Sequence, residues 1–346
     1  MNAISSLAER LDMPIRPHQA PVLTVVPDVV TPGPRTLRDV VGQDELRVRL
    51  NMRLEATVLG GFDLPNVLLT GPAGCGKSSF AKVIAAETGM TLRATTATAC
   101  RGRGLAILLG DLEPNTLVFI DEIHDMPRRD QEALGIAMID GKLYLPAKGA
   151  EPPIERDVEK FTLVAATTLP GLLSKPLLDR FGFRGALTYY STAELAEIIT
   201  AKAEALGVEL GDGAAATLAS RSRGTPRVAG NLLTALRAYV TVMSSEVATV
   251  VDVEAALEIE GIDTLGCDAD DRTYLEALTT LVTDRAGSPC GLAPLATCCG
   301  LDRKLIEHVI EPFMIHSGLL RMTDRGRVAT RLAFEHLERR VPIFIT

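Results

Sequence analysis

The chain of 346 residues contains no tryptophan, and aromatic residues make up only 4% of it. Its core must therefore be built from Ala, Leu, Val and Ile. It also lacks any apolar run of the ~18 residues that a membrane helix needs, so a membrane role is not expected. Glu9, Arg10 and Asp12 stand where a secretory signal would be apolar, so export is not expected either. The six cysteines form no CxxC pair, and Cys298 and Cys299 are adjacent. Neither a disulfide framework nor a zinc site with His308 follows from that spacing; buried, reduced thiols in a cytoplasmic protein do. Excess positive charge is missing too. Lys and Arg number 36 against 44 Asp and Glu, a net charge of −8, which excludes a nonspecific polycation that coats nucleic acid.

What is present is ordinary globular material: 47% apolar and 23% charged residues. At roughly 150 residues per domain the length suggests two or three domains. Residues 1–34 hold six of the 20 prolines and are expected to form a flexible arm. From 35 to 186, short apolar runs alternate with helical stretches. NVLLTG (66–71), TLVFIDE (116–122) and FTLVAATT (161–168) predict buried strands of a parallel sheet with helices on both faces. The segment 37–60 reads as a loop and an amphipathic helix. From 187 to 264 strand signals stop, and a small helical domain is expected, with Ser191, Asp212 and Asp252 as N-caps. In 265–346, two or three helices precede GLLRMTDRGRVAT, which reads as a hairpin with a polar tip. Helices followed by such a hairpin suggest a winged-helix module. Residues 300–346 carry eight basic and six acidic residues, against the acidic balance elsewhere, which permits a local nucleic-acid contact.

GPAGCGKS, Gly71 to Ser78, carries the chemistry. It follows one expected strand and opens an expected helix, the setting in which glycines turn backbone N–H groups onto phosphate oxygens. Gly74, Gly76, Lys77, Ser78 and Ser79 are candidate ATP-binding residues, with Lys77 on the β/γ-phosphates and Ser78 on Mg²⁺. Asp121 and Glu122 end the LVFIDE strand. One acid there holds Mg²⁺ and the other polarises the attacking water. Thr168, at the same rim, reads either as a γ-phosphate contact or as a strand-end threonine. Arg180 in DRF and Arg227 in RGTPR read either as phosphate-facing or as surface arginines.

This set resembles the AAA+ ATPases, and most closely the RuvB family. The resemblance rests on VVGQ (40–43), FIDEIH (119–124), FTLVAATT, PLLDRFGF (176–183), RGTPRVAGNLL (223–233) and IEPFMIHSGLLRMTDRGRVAT (310–330), in one order over roughly 34–337. It implies an ATP-driven DNA motor that migrates Holliday junctions in recombination and repair, as a hexameric ring on duplex or four-way-junction DNA. Thr168 would be the first sensor, Arg180 the arginine finger and Arg227 the second sensor. Pro34 to Val41 and Tyr190 would border the nucleotide, with Asp140 among the ATP-binding residues. Arg303 on the second winged-domain helix, and Arg321, Arg325 and Arg327 on the wing, would meet DNA. The segment 142–160 aligns with the family's hairpin for a RuvA partner, although it is shorter and carries Pro146, Pro152 and Pro153. Departures from the family pattern are Gly33, Leu169 and Met322. The alternative is a clamp-loader or helicase-loader type ATPase that places another protein on DNA. A third reading is a nucleotide-sensing switch with weak turnover.

Overall fold

The computed structural model describes residues 33–145 and 154–343. Most of the expected N-terminal arm, and the middle of the 142–160 segment, lie outside them. The described residues gather into two compact units: 33–198 together with 225–227, and 199–224 together with 228–343.

The first unit is built on a five-stranded parallel sheet. In chain order it contains helix α1 (Asp44–Gly60), β1 (Val67–Thr70), α2 (Lys77–Thr88), β2 (Thr91–Thr96), α3 (Arg103–Gly110), β3 (Thr116–Asp121) and α4 (Arg128–Asp140). These are followed by β4 (Lys142–Leu145), β5 (Ile154–Asp157), β6 (Phe161–Thr167), the short α5 (Lys175–Leu178), β7 (Phe183–Ala186) and the start of α6 (Thr192–Leu206). The sheet order is β2-β3-β6-β1-β7. Because helices cover the central strands, β1, β3 and β6 are buried along nearly their whole length, as parallel strands require. One core packs Leu68, Val118, Ile120, Leu163 and Ala165 of the sheet against Leu105, Leu109, Leu134 and Ala137 of α3 and α4. The register aligns Thr70 with Thr167 and Ile120 with Ala165, so β1, β3 and β6 end along one rim. In open parallel sheets that carboxyl rim is where ligands bind. β4 and β5 pair antiparallel as a separate hairpin, with Lys142 ion-paired to Glu155.

Helix α1 departs from the amphipathic expectation. It buries Leu46, Leu50 and Leu54, yet Val48, Met52, Val58 and Leu59 are exposed.

In the second unit, α6 continues and is followed by β8 (Glu209–Leu210), α7 (Ala214–Ser220), most of α8 (Pro226–Met243), β9 (Val247–Ala248) and α9 (Val250–Ile259). The winged-helix part follows: α10 (Ala269–Asp284), α11 (Leu292–Cys299) and α12, a continuous helix over 303–316 with a π turn at Ile306–Ile310. Strands β10 (Leu320–Thr323) and β11 (Gly326–Ala329) form the wing, and α13 (Arg331–His336) closes the fold. Tyr274, Leu278, Leu295, Ile306, Met314 and Phe334 form its core. Ser191 caps α6 as expected, its Oγ accepting the Glu194 N–H. The other two caps differ. Gly213, not Asp212, precedes α7, and Thr249 caps α9 with Asp252 at the third helical position returning a bond to the Thr249 N–H. All six cysteines are free; Cys75, Cys100, Cys267 and Cys290 are buried, whereas Cys298 is exposed and Cys299 half-buried.

Candidate active site

The turn after β1 needs its glycines. Gly71, Gly74 and Gly76 all have positive φ, a conformation that side chains disfavour. A Cβ on Gly71 would run into the Leu187 carbonyl, and one on Gly74 would lie 2.9 Å from Arg227 Cβ. Lys77 begins α2 and is only 6% exposed. Its ammonium folds back onto the Gly71 and Pro72 carbonyls at 2.9 and 3.0 Å. Burial pulls the Lys77 ammonium below its usual value, against the opposing pull of Glu122 and Asp121. Ser78 and Ser79 follow in the first turn of the helix. Burial pushes the Cys75 thiol up to about 11, so it fills the turn as a neutral group.

Across the rim, Asp121 is the last residue of β3, and Glu122 leaves the strand in a left-handed conformation with φ 47°. Such a backbone in a non-glycine residue marks strain held in place by its surroundings. Glu122 Oε2 accepts from the Thr168 N–H at 3.2 Å and the Thr168 hydroxyl at 3.3 Å, and His124 Nδ1 lies 3.1 Å away. The structure thus brings Lys77, Asp121, Glu122 and Thr168 to one rim. The oxygen donors there, the Ser78 hydroxyl and the Asp121 carboxylate, are the hard ligands that Mg²⁺ takes.

Tyr190 closes another side. It is buried, its hydroxyl donates to the Cys75 carbonyl at 3.2 Å, and burial, with the nearby Cys75, pushes its phenol up to about 12. The Pro34–Val41 segment is tied down by Glu87, which accepts the Leu37 N–H at 2.6 Å, and by Arg47, which donates to the Leu37 carbonyl. Gln43 exchanges two hydrogen bonds with the Thr188 backbone. Arg227 donates its backbone N–H to the Gly74 carbonyl at 3.3 Å, and its exposed side chain bears on the Lys77 charge.

Two residues stand apart. Arg180 lies against Gly135 of α4, whose missing Cβ makes room for the guanidinium, and donates to the Pro176 carbonyl at 2.7 Å. Its Nε is buried with no hydrogen-bond partner. Asp140 ends α4 at the exposed foot of the β4–β5 hairpin. Among the described residues no hydrogen bond or ion pair joins it to the phosphate turn.

The winged-helix arginines divide. Arg303 opens α12, the third helix of that part rather than the second, and is exposed; Arg321 on β10 and Arg325 at the wing's tip are also exposed. Arg327 is not. Its Nε and Nη2 donate to the two oxygens of Glu311 at 2.7 and 2.9 Å, with Glu307 at 3.6 Å. Glu311 is buried and also accepts the Tyr274 hydroxyl at 3.1 Å. A bidentate pair with a buried carboxylate draws the guanidinium inward and fixes wing to helix. Arg327 thus holds the wing to α12, unlike the three exposed arginines expected on DNA with it.

This sheet with this rim is that of a P-loop nucleoside triphosphatase, and the helical segment after it places the enzyme among the AAA+ ATP hydrolases. The chain belongs to the RuvB family. Residues 33–187 match the Holliday junction DNA helicase RuvB P-loop domain, 190–263 the RuvB AAA lid domain and 264–338 the RuvB C-terminal winged helix domain. The Holliday junction branch migration complex subunit RuvB of Rubrobacter xylanophilus is 42% identical over 314 residues, covering 90% of this chain and 87% of that one. Its Mycobacterium tuberculosis counterpart is 41% identical over 342 residues and 97% of each chain. Among solved structures, the Thermotoga maritima RuvB Holliday junction branch migration motor superimposes with a TM-score of 0.80 at 36% identity. It covers 89% of this chain and 99% of that one.

Some contacts at and around the site escaped the sequence. His124 sits in FIDEIH, but nothing in the spacing says that its ring reaches Glu122. Glu87 in α2 holds the Leu37 N–H, and Gln43, just before α1, holds the Thr188 backbone, both from positions that look solvent-facing in sequence. Arg223, in the same RGTPR stretch as Arg227, binds Asp268 and Asp271 at 2.8 and 2.7 Å and covers the Phe313 ring.

Proposed function

We propose that this chain is the motor subunit of a Holliday-junction branch-migration machine. It binds and hydrolyses ATP as a hexameric ring in the cytoplasm and moves duplex arms in recombination and repair. Its working parts are an ATPase domain over 35–186, a helical lid over 187–264 and a winged-helix DNA-binding domain over 265–346. Gly74, Gly76, Lys77 and Ser79 hold the phosphates. Ser78 and Asp121 hold Mg²⁺, which neutralises phosphate charge when bound. Pro34 to Val41 and Tyr190 border the base. Glu122 takes the proton of the attacking water, Thr168 senses the γ-phosphate and Arg227 reports nucleotide to the lid. Arg180 has a buried donor without a partner and no link to its own subunit's phosphate turn among the described residues. Both fit a finger that completes a neighbour's site, which makes turnover depend on assembly. Arg303, Arg321 and Arg325 contact phosphates of any sequence. The 142–160 segment, whose base is the β4–β5 hairpin, takes a RuvA-like junction-binding protein.

What supports this reading most is that one chain matches all three RuvB segments in order while keeping Lys77, Asp121, Glu122 and Arg180. The test is electron microscopy of negatively stained protein with ATP, with and without duplex DNA, alongside ATPase rates. Closed six-membered rings threaded by duplex, with DNA-stimulated hydrolysis, are expected. Open or smaller assemblies that never encircle DNA favour a loader of other proteins.

A further inference from the structure

His124 is absent from the roles above, yet it makes the tightest side-chain contact with Glu122. Its ring is 11% exposed, and Nδ1 lies 3.1 Å from Glu122 Oε2 and 3.0 Å from Thr167 Oγ1. The hydrogen bond of Nδ1 is with the Thr167 hydroxyl, and the Glu122 carboxylate stands alongside it. The Thr167 hydroxyl is itself held, accepting the Leu169 N–H at 3.0 Å. The other ring nitrogen faces Asp125 Oδ1 at 3.9 Å, beyond hydrogen-bond reach. Two donors, the Thr168 N–H and the Thr168 hydroxyl, thus converge on Oε2, with His124 Nδ1 standing beside it. The second oxygen, Oε1, is left as the one able to take a proton from water. Since Glu122 departs from β3 on a strained left-handed turn, its carboxylate needs such fixing to hold one orientation.

We propose that His124 is a positioning residue for hydrolysis: hydrogen-bonded through Nδ1 to Thr167 at the end of β6 and set against Glu122 Oε2, it keeps that carboxylate oxygen at the strand end and leaves the other for the attacking water. This rests on Glu122 being the water-polarising base. Asparagine supplies a polar side chain at a similar reach.

The test uses the full chain as wild type, His124→Ala, His124→Asn, Glu122→Gln and the Glu122→Gln/His124→Ala double variant. ATPase kcat and KM, and the Kd of a fluorescent ATP analogue, are measured for each. His124→Ala is expected to lower kcat by ~10- to 100-fold, part of the ~10²- to 10⁴-fold that a placed base contributes, with KM and Kd within about twofold. His124→Asn recovers most of the loss, and the double variant is no slower than Glu122→Gln alone. An unchanged kcat in His124→Ala beside an inactive Glu122→Gln overturns the proposal. So does a parallel loss of nucleotide affinity and thermal stability that asparagine does not rescue, since that is a packing role. Parental turnover by Glu122→Gln points instead to a wrong base and removes the ground for the proposal.

Discussion

The rim of the parallel sheet and the winged-helix part both concentrate charged residues, but use them in opposite ways. At the rim, charged groups keep open valences. Lys77 is held only by backbone carbonyls and Glu122 has one oxygen engaged, while away from the rim, against α4, Arg180 Nε has no partner. In the second unit most buried charges pair with one another: Arg327 with Glu311, Arg223 with Asp268 and Asp271, and His336 with Asp263 at 2.9 Å, although Asp271 Oδ1 itself has no hydrogen-bond partner. Asp263, Cys267 and His336 come close enough to hold a cation. However, Asp263 already accepts the Leu265 and Cys267 N–H groups, and Arg272 stands 3.7 Å away. That set locks a junction of loops. Open valences at the rim suit chemistry, and the ion pairs of the winged-helix part suit architecture.

The sharpest way to break this contrast is at Arg180. Arg180→Ala should fold, bind ATP and lose hydrolysis by a factor of ~10³ or more, as for an arginine finger. Mixing it with Lys77→Ala protein should restore part of the activity, if the finger serves a neighbour. A steady-state ATPase assay on each protein and the mixture reads this out; full activity in Arg180→Ala alone ends the finger assignment.

Arg327→Ala should act through stability instead. Removing one partner leaves Glu311 buried beside Tyr274, a loss of about 3–5 kcal/mol. Urea unfolding should show it, and replacing both Arg327 and Glu311 with apolar residues should return much of the loss. If Arg327→Ala is as stable as the parent but binds DNA poorly, the inward pair does not describe the protein in solution.

A smaller effect is expected with pH. Burial pushes the Asp271 carboxyl up to about 6, against the attraction of Arg223, whereas Asp268 stays below the usual range, its own burial outweighed by the Asp271 N–H and Arg223. Unfolded Asp titrates near ~3.9, so between about pH 4 and 6 the folded chain retains a proton that the unfolded chain has lost. Stability from this group is therefore fully present below about pH 4 and declines as pH rises to about 6, by about 3 kcal/mol at most. Unfolding curves of wild type and Asp271→Asn across that range should diverge accordingly. A pH-independent difference would mean that Asp271 titrates normally.

The smallest effect is on the wing. Arg325→Ala should weaken binding about equally on unrelated duplexes and make the slope of log K against log[salt] shallower by ~0.9, one phosphate contact. Fluorescence anisotropy over a salt series measures it; an unchanged slope would mean that the wing's tip does not touch DNA.

The sequence made the fold legible wherever burial imposed a pattern. β1, β3 and β6 stood out because both faces are covered, and the glycine turn stood out because only glycine accepts its φ values. β2 was missed because Thr-Leu-Arg-Ala-Thr-Thr is a largely exposed edge, and β7 because four residues with alternating burial leave little signal. Of the site, Lys77, Asp121, Glu122 and Thr168 were readable from position along the strands. Side-chain direction was not. Arg325 and Arg327 are two residues apart in one hairpin, yet one faces water and the other a buried carboxylate. Nothing local to the wing reveals this, since Glu311 lies 16 residues earlier and Tyr274 earlier still.

Branch migration itself tests the central claim most directly. A labelled synthetic four-way junction with homologous arms is incubated with ATP and wild-type or Glu122→Gln protein, with and without a RuvA protein, and the conversion to duplex products is followed. Wild-type protein should resolve the junction into two duplexes at a rate that tracks ATP hydrolysis, and Glu122→Gln should bind the junction and leave it intact. ATP hydrolysis by the wild type with the junction arms unmoved under both conditions, or equal conversion by Glu122→Gln, would contradict the account.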